Sequence, residues 1–184
     1  MSADRREQIL DAALAVLARD GISGVSMRAV AREADLSLGL ANYHFEDKHG
    51  LLIAALERIA DADAAIVAPR PDTDPEADLR RALHLVAADE YLGVDYLALR
   101  LQLWSLAGVD PRYAAINQRA QAAYLAGLAG LLAAARPDLD ADEIRRRAED
   151  ILIVQNGVWL TSVLVPDAAT TARAVASTER IAFG

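Results

Sequence analysis

The 184 residues contain no cysteine, which excludes disulfide cross-links and thiolate metal sites and fits a reducing compartment. Lysine occurs once, as Lys48. Aromatic residues make up only 5% of the chain, too few for an aromatic-rich sheet core. Long apolar runs are also missing. The charge-free stretch Ile151 to Pro166, which no other exceeds in length, is shorter than the roughly 20 residues that a bilayer-spanning helix needs, and it carries Gln155 and Asn156. Arg5 and Arg6 precede an apolar segment, but Asp11 interrupts it and Arg19-Asp20 stands where a signal peptide would have small residues. The expectation is a soluble, cytoplasmic protein. Phosphate loops, dinucleotide glycine turns and nucleophile elbows are absent. His44 and His49 are five residues apart, not the four that set two histidines on one helical face for zinc. No metal, no cofactor and no catalysis are expected.

Alanine accounts for 40 residues and hydrophobic residues for 54% of the chain. Alanine and leucine favour helix, so the fold class expected is all-α, with about nine helices. The net charge of −8 argues against bulk affinity for nucleic acid. Even residues 1–50 carry six basic and eight acidic side chains. Any DNA binding by this segment must come from local geometry.

Periodicity predicts a first helix from about Asp4 to Arg19, with Asp4 and Glu7 in a capping-box pattern and Gly21 as its stop. Ser26 caps a second helix reaching Ala34. After a break at Asp35-Leu36, Ser37 caps a third, Leu38 to Phe45, and Asp47 caps a fourth that continues to about Val67. Residues 68–75 (APRPDTDP) read as a linker. Further helices are expected from Pro75 to about Tyr91, 94 to 107, 111 to 135, 140 to 165 and 167 to 181. The expected division is a DNA-binding domain over 1–46, a connecting helix over 47–67, and a ligand-binding and dimerisation domain over 68–184.

Two short helices joined by a tight turn form a helix-turn-helix, whose second helix can enter a major groove. Leu38, Gly39, Leu40, Ala41 and Asn42 are small or non-bulky enough to face DNA. Periodicity alone allows equally a packed three-helix cap with no DNA contact. The stretch Gly21 to Leu52, GISGVSMRAVAREADLSLGLANYHFEDKHGLL, resembles the signature of the tetracycline-repressor (TetR) family. The likeness lies in the glycine turn, the capped second helix, the A-x-x-A core, the S-x-G-x-x-x-[YH]-H-F run and the D-K-x-x-L start of the fourth helix. Asn42 stands where the family has its usual tyrosine, which implies altered sequence preference.

The resemblance implies a regulator, a repressor by expectation, that binds double-stranded DNA at an inverted repeat as a homodimer and is released by a small-molecule effector. By position it implies phosphate contacts by Ser26, Arg28, Ser37, Tyr43, His44 and Lys48. It also implies base contacts by Leu38, Gly39, Leu40 and Asn42, of which Asn42 can pair with adenine. Trp104 and the run Asn156 to Leu160 are similar to betaine-type regulators of this family. The resemblance further implies a ligand cavity, for which His84, Tyr96, Arg100, Trp104, Asn117, Gln121 and Tyr124 are candidates as polar or aromatic residues inside apolar helices. It implies a dimer interface on the charge-free run, with Gly157, Val158, Leu160, Thr161 and Leu164 as candidates. A small helical enzyme and a helical adaptor without DNA binding are the rival readings.

Overall fold

The computed structural model describes residues 2–184. These form ten helical segments and, among the described residues, no strand. They are α1 (Ser2–Gly24), α2 (Met27–Glu33), α3 (Leu38–His44), α4 (Lys48–Ile66), α5 (Pro75–Leu85), α6 (Asp89–Leu92), α7 (Val94–Leu106), α8 (Pro111–Ala135), α9 (Ala141–Leu164) and α10 (Ala168–Phe183). The all-α expectation holds. The helix expected to run to Tyr91 instead stops at Leu85, and α6 is a separate four-residue turn. Asp4 lies in the first turn of α1 and not at its cap. Among the described residues, no helix is long and apolar enough to cross a membrane.

Packing groups Met1–Ala60 with Ala98–Asn117 as one unit, and Asp61–Leu97 with Gln118–Gly184 as the other. The first unit therefore holds most of α4, much of α7 and the start of α8, beyond the 1–46 expected for the DNA-binding part. Its core joins Ile9, Val16 and Leu17 of α1 and Val30, Ala41, Phe45, Leu51 and Leu52 to Leu99, Leu103, Leu106, Tyr113 and Ile116. Gln102 donates to the Leu17 carbonyl at 3.0 Å. Gly21 ends the regular part of α1 at φ 71, a left-handed conformation that glycine adopts without a Cβ clash.

In the second unit α10 packs on α9 and α5. Its buried residues include Leu79, Leu83, Leu128, Leu132, Ile151 and Trp159, whose Nε1 donates to the Val86 carbonyl at 3.2 Å. The linker is tied down by a buried carboxylate. Asp78 accepts from the Arg70 backbone N–H at 2.8 Å and from Arg81 at 2.7 Å. Burial alone would raise its pKa, but these two donors outweigh burial and hold it below the usual carboxylate value. Arg81 then reaches the carbonyls of Ile66 and Ala68 at 3.1 and 3.0 Å, closing the end of α4.

The turn between α2 and α3 places Asp35 at φ 52. The Leu36 N–H bonds back to the Ala31 carbonyl at 2.9 Å, as in a helix stop with a left-handed residue. Aspartate tolerates this region less well than glycine. Asp35→Gly is expected to raise the unfolding free energy by about 0.5 kcal/mol, read from the denaturant midpoint at unchanged slope.

Candidate nucleic-acid interface

Two serines set the ends of the helix-turn-helix. Ser26 Oγ accepts from the Ala29 N–H and Ser37 Oγ from the Leu40 N–H, each at 3.1 Å. Both serines keep an extended backbone, as helix caps require. Val30, Ala31, Ala34, Ala41 and Phe45 are buried and lock α2 and α3 onto the first unit's core. Gln8 donates to the Ala34 carbonyl at 2.9 Å, satisfying the end of α2. Its role was not legible in the sequence, because the bond joins residues 26 positions apart.

With one side of α3 buried, the other is left to solvent. Ser37, Leu38, Gly39, Asn42 and Tyr43 are exposed, Tyr43 at 80%. Leu40 and His44 are half-buried, so the apolar reach expected of Leu40 is partly spent on its own unit. Tyr43 and His44 meet edge to face, 5.3 Å between ring centroids. A Cβ at Gly39 would meet only Ser37 Oγ, at 4.0 Å. The protein's own packing therefore does not require glycine here, although glycine costs a helix roughly 0.5–1 kcal/mol relative to alanine. Its bareness leaves room for an approach from outside.

Lys48 has a partner inside the chain: Nζ donates to the Ile22 carbonyl at 2.7 Å, pinning the end of α1 to the start of α4. Asp47 Oδ1 accepts from the Gly50 N–H at 2.8 Å and caps α4 as expected. His49 Nδ1 and the Tyr113 hydroxyl are paired at 2.5 Å, the rings stacked.

Ion pairing sorts the charges of this acidic segment. Arg19 bridges Asp20 and Glu33 at 3.1 and 2.9 Å, and these partners, Glu33 first, push its pKa up. Arg58 bridges Glu7 and Asp11 at 3.2 and 2.7 Å. Arg28 and Arg32, four residues apart on one face of α2, are exposed and have no ion-pair partner among the described residues. Arg6 lies over the Phe45 ring at 5.0 Å, beside the end of α3. Composition could not reveal Arg6, since the contact is tertiary.

Residues 9–55 match the family described as "Bacterial regulatory proteins, tetR family". The chain carries the DNA-binding domain of TetR-family transcriptional regulators. It is 28% identical over 175 residues to the HTH-type transcriptional regulator BetI of Pseudomonas paraeruginosa, covering 93% of this chain and 87% of that protein. A TetR transcription regulator from Haloarcula marismortui superposes with a TM-score of 0.81 over 98% of this chain and 97% of its own, at 21% identity. A TetR-family member from Streptomyces coelicolor, SCO1917, gives 0.72 at 29% identity over 96% and 97% of the two chains.

The sequence-derived ligand candidates of this regulator fall in both units. In the first, the Arg100 guanidinium lies 5.3 Å from the Trp104 ring centroid, and Asn117 donates to the Tyr113 carbonyl at 3.1 Å. In the second, Tyr96 donates to Asp63 at 2.5 Å, and burial pushes the Tyr96 hydroxyl pKa up. Tyr124 donates to Gln155 at 3.0 Å, and Gln121 accepts weakly from Asn156 at 3.5 Å. His84 pairs with Glu179 at 3.0 Å on the rim of a surface groove of about 670 Å³ that Ala87, Asp89, Ala172 and Val175 also line.

Two substitutions separate structure from recognition. Gly39→Ala is expected to stabilise the fold by about 0.5 kcal/mol in denaturant melts while weakening DNA binding in gel shifts. Lys48→Ala should lower stability by about 1 kcal/mol through loss of the Ile22 bond. If Lys48 also touches phosphate, the slope of log affinity against log salt falls by about one contact. An unchanged slope assigns it to structure alone.

Proposed function

We propose that this regulator is a repressor that acts by binding and not by catalysis, that it grips an inverted-repeat operator in the cytoplasm as a homodimer, and that a small-molecule effector releases it. The observation that carries the reading is the solvent-facing side of α3, where Leu38, Gly39, Asn42 and Tyr43 stand exposed above a buried Ala41 and Phe45. Asn42 is assigned to adenine, Leu38 to thymine methyls, and Ser26, Arg28, Ser37, Tyr43 and His44 to phosphates. Leu40 is a secondary contact, and Arg6 and Arg32 join the phosphate set.

The dimer is proposed on α9. Ile153, Leu160 and Leu164 are 69%, 44% and 68% exposed, and with Gly157 they follow a four-three-four spacing that makes one stripe. A Cβ at Gly157 would meet nothing within 4 Å, so this side of the helix is open to close approach by a second one. Thr161 is exposed beside the stripe. Val158, expected in the interface, is 5% exposed and belongs to the second unit's own core, because it shares a helical face with Ile151 and Gln155. A two-fold dimer supplies two recognition helices, which must sit roughly 34–36 Å apart to read successive major grooves.

The regulatory step is proposed to run along α4, which changes unit after Ala60. An effector bound in the second unit shifts the DNA-binding equilibrium only if it binds the released form better. The test combines sedimentation with a gel shift on the DNA upstream of the protein's own gene. The wild type should run as a dimer and retard that DNA at salt where random DNA is free. Leu164→Glu should yield a folded monomer whose affinity for that DNA drops by more than tenfold. A wild-type monomer at micromolar concentration, or equal retardation of both DNAs, defeats the reading.

A further inference from the structure

We infer that the effector is an uncharged molecule whose oxygen acceptor docks on the side-chain amide of Gln155. This rests on the proposal that the second unit takes a small-molecule effector. Gln155 is 0% exposed and lies on the buried face of α9 between Ile151 and Trp159. Its Oε1 accepts from the Tyr124 hydroxyl of α8 at 3.0 Å, while its Nε2 is buried with no hydrogen-bond partner. Exchanging the oxygen and nitrogen of the amide would leave the opposite end without one, so the mismatch is a property of the position. An apolar side chain of the same size would fill this place without that penalty. A primary amide kept here is therefore matched to something that enters.

The chemistry of the surroundings selects the class. Tyr124 and Gln155 share a polar step across α8 and α9 with Gln121 and Asn156, whose amides lie 3.5 Å apart. All four side chains are uncharged at neutral pH. These four side chains offer dipoles but no counter-charge, and the nearby Asp63 carboxylate is already taken up by Tyr96, so an ion moved into the layer would lose its hydration uncompensated. A carbonyl, amide or hydroxyl group meets the Gln155 N–H without that loss. Asn156 also has a buried atom without a partner, Oδ1, but successive residues on a helix point about 100° apart, so it does not aim where Gln155 aims. Gln155 is the anchor. The Tyr124 and Trp159 rings, 6.3 Å apart and edge to face, stand beside it as an apolar wall.

The test uses the full chain labelled with ¹⁵N and follows the Gln155 side-chain NH₂ resonances, assigned by their loss in Gln155→Met. N-methylacetamide is the neutral probe, with acetate and tetramethylammonium as charged probes of similar size. The expected result is a saturable shift of the Gln155 signals by N-methylacetamide and none by either ion. Gln155→Met should weaken N-methylacetamide binding at least tenfold. Tyr124→Phe, which keeps the amide, should retain affinity within about threefold, and both variants are checked for an intact fold by circular dichroism. Equal shifts by the ions would overturn the inference, as would no saturable shift by the neutral probe, meaning an ordered water only. Release from the upstream DNA by a compound that leaves the Gln155 signals untouched would overturn this docking site while leaving effector regulation standing.

Discussion

The DNA-binding half of this regulator cannot bury its core with its own helices. α2 and α3 are seven residues each, too short to hold themselves as isolated helices. Val30, Ala41 and Phe45 are buried because α1 and the start of α4 cover them, and that cluster is completed by Leu99, Leu103, Leu106, Tyr113 and Ile116 from much later in the chain. Small domains bury too little surface to be stable alone, and this one borrows from α7 and α8. The Gln102 bond to the Leu17 carbonyl and the His49–Tyr113 pair fix the same attachment with polar geometry. Anything that moves residues 98–117 therefore acts on α1 and on the start of α4.

Electrostatics follows from that packing. Residues 1–50 are net acidic, which by composition opposes DNA binding. In the folded unit, Arg19 and Arg58 absorb Asp20, Glu33, Glu7 and Asp11 in exposed ion pairs. Such pairs contribute little stability. Their consequence is spatial: they neutralise acids by position and leave Arg28 and Arg32 available on α2, with Arg6 beside α3. A net acidic segment with a few positioned arginines favours local contacts over bulk attraction to nucleic acid.

Much of the fold was legible in the chain, and the reasons are local. Ser26, Ser37, Asp47, Asp74, Asp140 and Asp167 mark helix starts because an oxygen two or three residues before an unpaired N–H satisfies it wherever the helix goes. Gly21 and the Asp35 turn end helices for equally local reasons. The spacing from Ser37 to Phe45 carried the family likeness and the exposed face of α3. The pattern failed where a residue's fate depends on a distant partner. Lys48 is expected at a phosphate, and the bond it makes to the Ile22 carbonyl, 26 residues away, has no local signal. Val158 reads as interface and lies in the core, while Ile153 is exposed.

The sequence by itself determined the helical class, the order of the long helices, most of their caps and the helix-turn-helix, since each depends on contacts within about four residues. The tertiary structure alone decided the rest. It brought residues 98–117 against α1 and the start of α4, chose which arginines remain available, and left the Gln155 amide buried with one end unmatched. The physical reason is the range of the forces involved. Helix capping and periodicity are satisfied along the chain, whereas burial and ion pairing depend on which surfaces meet, and that is settled only when the whole chain has packed.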